Sequence, residues 1–335
     1  MAWRIPALRA WWARRPPAAG AAVMATGIVS VGLNLVGHES LSLAALALAC
    51  AAWIGLAADF GVLLLRDRTK WVTQAGSPGA LTAVAATTVV GTRFALLGAT
   101  PVAAALLALA ALLWPVLLVP VVRGWRPRMP GAVFLGCVAT EGLAVLGATL
   151  SATTSTAWPA HAALVPFWFG LVLYAVALFR FDPREVARGA GDQWVAGGAL
   201  AISALAGAKL LTAAQSGPYL WNDDADTALR HATVAALALA LAWYAVLLIS
   251  EVVRPRFRYD VRRWSTVFPL GMTAAATLSV ATAVSAPWLT HPGRALVWVA
   301  VAGWLTVAAG AVAAARTDLR SLSAEGGTRP TAPPR

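Results

Sequence analysis

The sequence predicts an all-α polytopic membrane protein, with ten transmembrane helices forming five hairpins, odd-numbered spans inside and even-numbered spans outside. Three observations carry this. Of the 335 residues, 59% are hydrophobic and 12% charged, with a mean hydropathy of +0.71. Apolar runs of about 20 residues, each long enough to cross a bilayer, recur from Pro17 to Ala315. Hydroxyl and charged side chains within those runs concentrate in every second one.

Taken in order, the spans are roughly 17–37, 40–65, 80–99, 101–122, 131–152, 158–179, 193–214, 228–251, 264–286 and 293–315. Span one follows a basic tail and Pro16-Pro17. No cleavage site follows it, so it reads as a retained helix rather than a signal peptide. Spans two, four, six, eight and ten are nearly pure Ala, Leu and Val at their centres. They also hold the mid-membrane tryptophans Trp53, Trp114, Trp168, Trp243, Trp298 and Trp304. Spans three, five and seven carry hydroxyls among small residues, and span nine adds a proline in mid-helix, Pro269. The boundaries divide the chain into a tail (1–16), a ten-helix membrane domain (17–315) and a disordered C-terminal tail (316–335). No internal repeat stands out.

The charge distribution orients the spans. Of the 26 Lys and Arg residues, 22 fall in the two tails and in the connections after spans two, four, six and eight. The other connections are neutral or acidic, such as the NDDAD run at 222–226. By the positive-inside rule both tails are cytoplasmic, in the cell membrane. The formal charge of +12 is therefore a topology signal and not a nucleic-acid footprint. Cys50 and Cys137 lie inside apolar runs without CxxC spacing and read as small buried side chains. His38, His161, His231 and His291 sit at the outer ends without metal-ligand spacing, so no metal and no cofactor is expected. NDDAD is similar to the aspartate-rich motif of membrane prenyltransferases. It has no second copy and lies on the wrong side, and HExxH, Walker and GxSxG patterns are absent. The chain thus reads as a non-enzyme with no catalytic residues.

Polar side chains in a bilayer face the bundle interior or a water-filled passage, because lipid cannot solvate them. The odd spans carry Thr26, Ser30 and Asn34; Thr87, Thr88, Thr92 and Arg93; Thr140 and Glu141; Ser203 and Lys209; and Thr266, Thr273, Thr277 and Ser279. Asp59, in an even span, is the exception. Thr26, Ser30 and Asn34 share one helix face, suited equally to lining a passage and to hydrogen bonding between helices, and Thr266, Thr273 and Thr277 share another. Thr88, Thr92 and Ser203 complete the neutral pore-lining candidates. Arg93 and Lys209, about 9 Å below the outer end of their spans, are candidates for drawing in anions. Glu141, near mid-span, needs a cationic partner, with Lys209 and Arg93 in reach of the reading, or else a proton; a proton would couple it to transport. Phe268, beside Pro269, points almost opposite the Thr266 stripe. The two compete for the pore face, with Thr273 able to bond back to the Pro269 carbonyl.

Five strings in order, PAAGAAVMATGIVSVGL, GTRFALLG, VATEGLAVLGA, DQWVAGGALAISALAGAKL and RRWSTVFPLGMTAAATL, resemble the tellurite-resistance/dicarboxylate transporter family. Its relatives include the slow anion channels of plant guard cells and fungal malate and sulfite transporters. The resemblance implies five hairpins around a central pore, a homotrimer, and a phenylalanine of the ninth helix plugging the pore, which by motif is Phe268. Inner helices of the family often kink at prolines. Here only span nine keeps one, and Gly27, Gly91, Gly142 and Gly207 are candidates to bend the rest. The expected partners are small anions and the lipid bilayer. The expected function is passage of monovalent inorganic anions, sulfite- or tellurite-like oxyanions or four-carbon dicarboxylates, with a proton-coupled carrier using Glu141 as the alternative.

Overall fold

The structure, a computed structural model, describes residues 19–216, 220–255 and 259–327. The tail at 1–16, Arg256, Arg258 and the residues from 328 onward lie outside the described residues. Ten long helices follow one another: α1 (Gly20–Leu35), α2 (Glu39–Arg66), α3 (Thr82–Leu96), α4 (Thr100–Arg123), α5 (Leu135–Thr154), α6 (Ala157–Arg180), α7 (Val195–Ser216), α8 (Asp223–Val253), α9 (Trp264–Ala283) and α10 (Thr290–Gly327). Among the described residues, α2 and α4 to α10 are each apolar and long enough to cross a bilayer, α3 becomes so together with the turn before it (Pro78–Leu96, 19 residues), and α1 is a shorter apolar helix of 16 residues. One boundary differs from expectation. α10 continues to Gly327, past Ala315, because the polar residues that follow contain helix-compatible Ala, Leu, Arg and Glu and no proline.

The helices form two concentric layers. α1, α3, α5, α7 and α9 each pack on the next, and α9 closes the ring on α1. Each even helix packs on the odd helix before it and leans on the odd helix after it. In the apolar stretches of α3, α5, α7 and α9, 78–100% of residues are buried, against 11–33% in the even helices. The physical cause is that hydroxyls and glycines let helices approach closely inside, whereas bulky Leu, Val and Trp on the even helices are solvated by lipid.

The hairpins repeat in geometry although not in sequence. The residue closing α1, α3, α5 and α9 takes a left-handed conformation at Gly37 (φ 83°), Gly98 (77°), Ser155 (50°) and Ser285 (56°). The amide after it donates five residues back, His38 to Leu33, Ala99 to Phe94, Thr156 to Ser151 and Ala286 to Ala281, at 2.9–3.2 Å. This is the Schellman closure, which satisfies carbonyls that the helix end would otherwise strand. At the basic face, short 3₁₀ turns (Pro78–Leu81, Gly131–Phe134, Asp192–Trp194 and Val261–Arg263) lead into α3, α5, α7 and α9.

Indole N–H groups tie the outer layer to the inner one. Trp53 of α2 donates to Thr87 of α3 (2.9 Å), Trp114 of α4 to Thr140 of α5 (2.8 Å), and Trp304 of α10 to Thr26 of α1 (2.9 Å). Each threonine hydroxyl donates in turn to its own helix four residues back, so both ends of the tie are satisfied without water.

The glycines that were candidates to bend the inner helices sit at close contacts between them. A Cβ at Gly27 would meet Val89, at Gly91 Leu146, at Gly142 Thr88 and at Gly207 Thr233, all within 2.7 Å. Gly131 is the less forgiving position, because its Cβ would lie 2.1 Å from the backbone carbonyl oxygen of Asp192. Backbone cannot swing aside as a side chain does. Gly131→Ala is therefore expected to separate the starts of α5 and α7 and to destabilise the fold by about 1–3 kcal/mol. Thermal unfolding in detergent checks this, and an unchanged midpoint would show that the two turns are not tightly coupled.

Candidate functional site

On the axis of the inner ring lies a cavity of about 10 Å³, at the lower limit for one water molecule. All five inner helices line it. Ile28 and Val31 come from α1, Thr88, Val89 and Thr92 from α3, and Gly142 and Val145 from α5. Ile202 and Leu205 come from α7, and Met272 from α9. The two threonine hydroxyls are turned into their own helix, Thr88 to the Ala85 carbonyl (2.9 Å) and Thr92 to that of Thr88 (2.8 Å). The waist of the ring is thus dry and apolar.

The faces of the neighbouring residues follow from this lining. Phe268 is four residues before Met272, on the same face one turn toward the basic side, and is 1% exposed. Pro269 packs against Gly198 of α7, whose missing Cβ makes room for the ring. Thr273 donates to the Pro269 carbonyl (2.8 Å) and Thr277 to the Thr273 carbonyl (2.7 Å), so these hydroxyls are spent along α9. Thr266 donates to the Gly191 carbonyl at 3.3 Å, in the turn before α7. At the waist α9 presents Met272 to the axis.

The α1 stripe takes the second of its two readings, bonding to neighbouring helices. Thr26 accepts from Trp304 of α10. Ser30 donates to the Ser42 carbonyl of α2 (2.7 Å), and Asn34 donates to Glu39 of α2 (2.8 Å). These three side chains are engaged with the outer helices, while Ile28 and Val31 take the axis. The reason is that a hydroxyl inside a dry bundle gains more from a fixed partner than from facing a passage.

Arg93 departs from expectation. It is fully buried and donates from Nε to Ser42 (2.9 Å) and from Nη2 to Glu39 (2.5 Å), both on α2. Ser42 in turn donates to the Ser30 carbonyl (2.7 Å). Ser30, Asn34, Glu39, Ser42 and Arg93 thus clamp the outer ends of α1, α2 and α3. Arg93 Nη1 has no partner among the described residues. Glu39 drew no attention in the sequence because it opens an outer helix; its only signal was an acid at a connection otherwise free of charge.

Glu141 pairs with neither Lys209 nor Arg93. It is fully buried in the seam of α5, α6 and α7, where Oε1 accepts from Ser203 (2.9 Å). Its carboxylate lies against Gly170, where a Cβ would sit 2.6 Å from Oε1, and Oε2 has no partner among the described residues. Lys209 follows Ile202 by seven residues and Leu205 by four, so it continues the axial face of α7 one turn toward the outer side. It is partly exposed and makes no hydrogen bond or ion pair among the described residues. Ser279, seven residues beyond Met272 on α9, shares that outward direction, and its buried Oγ likewise has no partner among them.

Residues 14–312 match a family described as voltage-dependent anion channel. Two curated relatives, the uncharacterized membrane proteins Rv1735c and MT1776 of Mycobacterium tuberculosis, are each 33% identical over 145 residues. That match covers 40% of this chain and 68% of each relative. With a family match across nearly the whole ring of five hairpins, this multi-pass membrane protein belongs to the voltage-dependent anion channel family.

Proposed function

We propose that the chain conducts small anions along the axis of the inner ring and that Phe268, backed by Pro269, is its gate. The observation that carries this reading is the dry waist at Met272, with Phe268 on the same face one turn away. An ion can cross such a constriction only if it widens, because apolar walls neither replace a hydration shell nor hold water. Lys209, one turn beyond Leu205 and without a carboxylate partner among the described residues, supplies attraction for an anion at the outer approach. Thr88 and Thr92 supply the neutral oxygens nearest the waist. The substrates proposed are monovalent inorganic anions, sulfite- or tellurite-like oxyanions and four-carbon dicarboxylates. The assembly proposed is a homotrimer in the cell membrane with both termini cytoplasmic.

An anion-replacement series on protein reconstituted in planar bilayers tests the reading, because reversal potentials rank the anions and unitary steps mark a channel. Lys209→Gln is expected to lower anion flux by up to about tenfold at low ionic strength, with the difference shrinking as salt screens the charge. Equal flux at all salt concentrations would remove Lys209 from the pathway.

A second reading, a proton-coupled carrier, draws on the half-partnered carboxylate of Glu141 at mid-span. A carboxylate sealed between helices with one idle oxygen is suited to hold a proton. Flux indifferent both to a pH gradient and to Glu141→Gln would dismiss it.

A further inference from the structure

A larger cavity lies outside the ring. It has a volume of about 490 Å³ and opens sideways between α2 and α4, on the half of the bundle nearest the basic face. Its walls are Trp53, Leu56 and Phe60 of α2 and Leu109 and Leu113 of α4. Its floor reaches past the outer layer to two inner helices, at Val23 of α1 and at Ala83 and Ala86 of α3. Small side chains on α3 leave the floor hollow. At the basic end stand Arg66, closing α2, and Lys70, on the short helix Arg68–Ala75; both are exposed.

The dimensions match one leaflet. From Trp53 to Arg66 along α2 is 13 residues, or about 20 Å. Half of a bilayer including its headgroups is about 20–22 Å thick. The apolar stretch therefore spans the depth of an acyl chain, and the two cations stand where a phosphate would. Asp59 also lines the cavity, seven residues and about 10 Å deeper than Arg66, and is engaged within the protein. The groove between α8, α9 and α10, of about 340 Å³, offers a contrast, since its arginine, Arg263, is held by Glu251 at 2.6 Å.

We propose that the cavity between α2, α3 and α4 is a site for an anionic phospholipid, its phosphate held by Arg66 and Lys70 and one acyl chain laid against α3. A lipid bound there touches the inner ring directly, so its occupancy braces α1 and α3 where they face lipid.

The test is native mass spectrometry of the full-length protein in detergent, titrated with phosphatidylglycerol or with phosphatidylcholine. The wild type is expected to retain phosphatidylglycerol preferentially. Arg66→Gln with Lys70→Gln is expected to reduce that retention by about tenfold or more, as two juxtamembrane cations contribute to binding an anionic lipid. Arg123→Gln with Arg126→Gln, in the next basic connection, is the control and is expected to retain as much as wild type. Thermal midpoints of both variants without added lipid confirm folding. Equal retention of the two lipids by wild type overturns the proposal. So does undiminished retention in the variant lacking Arg66 and Lys70, a loss as large in the control, or a second copy of the chain bound in place of lipid.

Discussion

Phe268→Ala is expected to raise anion flux by about tenfold or more, equivalent to lowering the barrier by ~1.4 kcal/mol. The ring is 1% exposed and stands on the same face of α9 as Met272, which lines the waist. Truncating it removes an apolar obstruction and opens room for water one turn from a 10 Å³ cavity that admits at most about one molecule. The same truncation leaves a hole in the core, and losses of about 3–5 kcal/mol are typical for a buried phenylalanine. Phe268→Leu separates the two effects, because it keeps most of the packing while removing the flat ring. The expected order of conductance is Ala above Leu above Phe, read as single-channel current or as halide flux into vesicles. A folded Ala variant that conducts no better than wild type would end the gate assignment.

Glu39→Ala is expected to be the more damaging way to break the outer clamp. It strands the guanidinium of Arg93, which is fully buried and would keep only Ser42. Removing the partner of a buried charge is strongly destabilising, but Glu39 is 47% exposed and water replaces part of its contribution, so a moderate loss is expected. Arg93→Met removes the buried charge itself. It leaves Glu39 bonded to Asn34 and open to solvent, so its cost is expected to be smaller. Thermal unfolding of the two variants in the same detergent gives the comparison. A larger loss for Arg93→Met would mean that the arginine is needed for more than its pair with Glu39.

Both results depend on which way a side chain turns, and that is where sequence reading was weakest. Thr26 and Ser30 were legible as one stripe on α1, as helical spacing requires. Their partners, Trp304 and Ser42, lie 278 and 12 residues away. Spacing along one helix gives a common face but not its direction, because a hydroxyl is equally suited to a passage and to a neighbouring indole. The back-bond from Thr273 to Pro269 was legible because both groups sit on one helix, four residues apart. Arg93 was misread for the complementary reason. Its helical neighbours are apolar, and the acid that holds it opens a different helix.

The hairpin repeat shows the same limit. SPGALT before α3 and MPGAVF before α5 share a Pro-Gly-Ala step, and Trp53, Trp114 and Trp304 occupy matching positions in α2, α4 and α10. These traces are too sparse to declare a repeat. The outer turns use glycine at 37 and 98 but serine at 155 and 285, so one backbone geometry is written with different residues.

By itself the sequence determined that the chain crosses the membrane many times, where the helices lie, and which helices form the inner layer. Those properties follow from local hydropathy and from the cost of exposing hydroxyls to lipid, both of which are written residue by residue. Only the tertiary structure decided that the waist is sealed by Ile28, Val89, Val145, Leu205 and Met272, that Arg93 is bound to α2, and that Glu141 is enclosed against Gly170. Each of these depends on the rotation of one helix against another. Close packing at glycines such as Gly142 and Gly198, between residues far apart in the chain, sets that rotation.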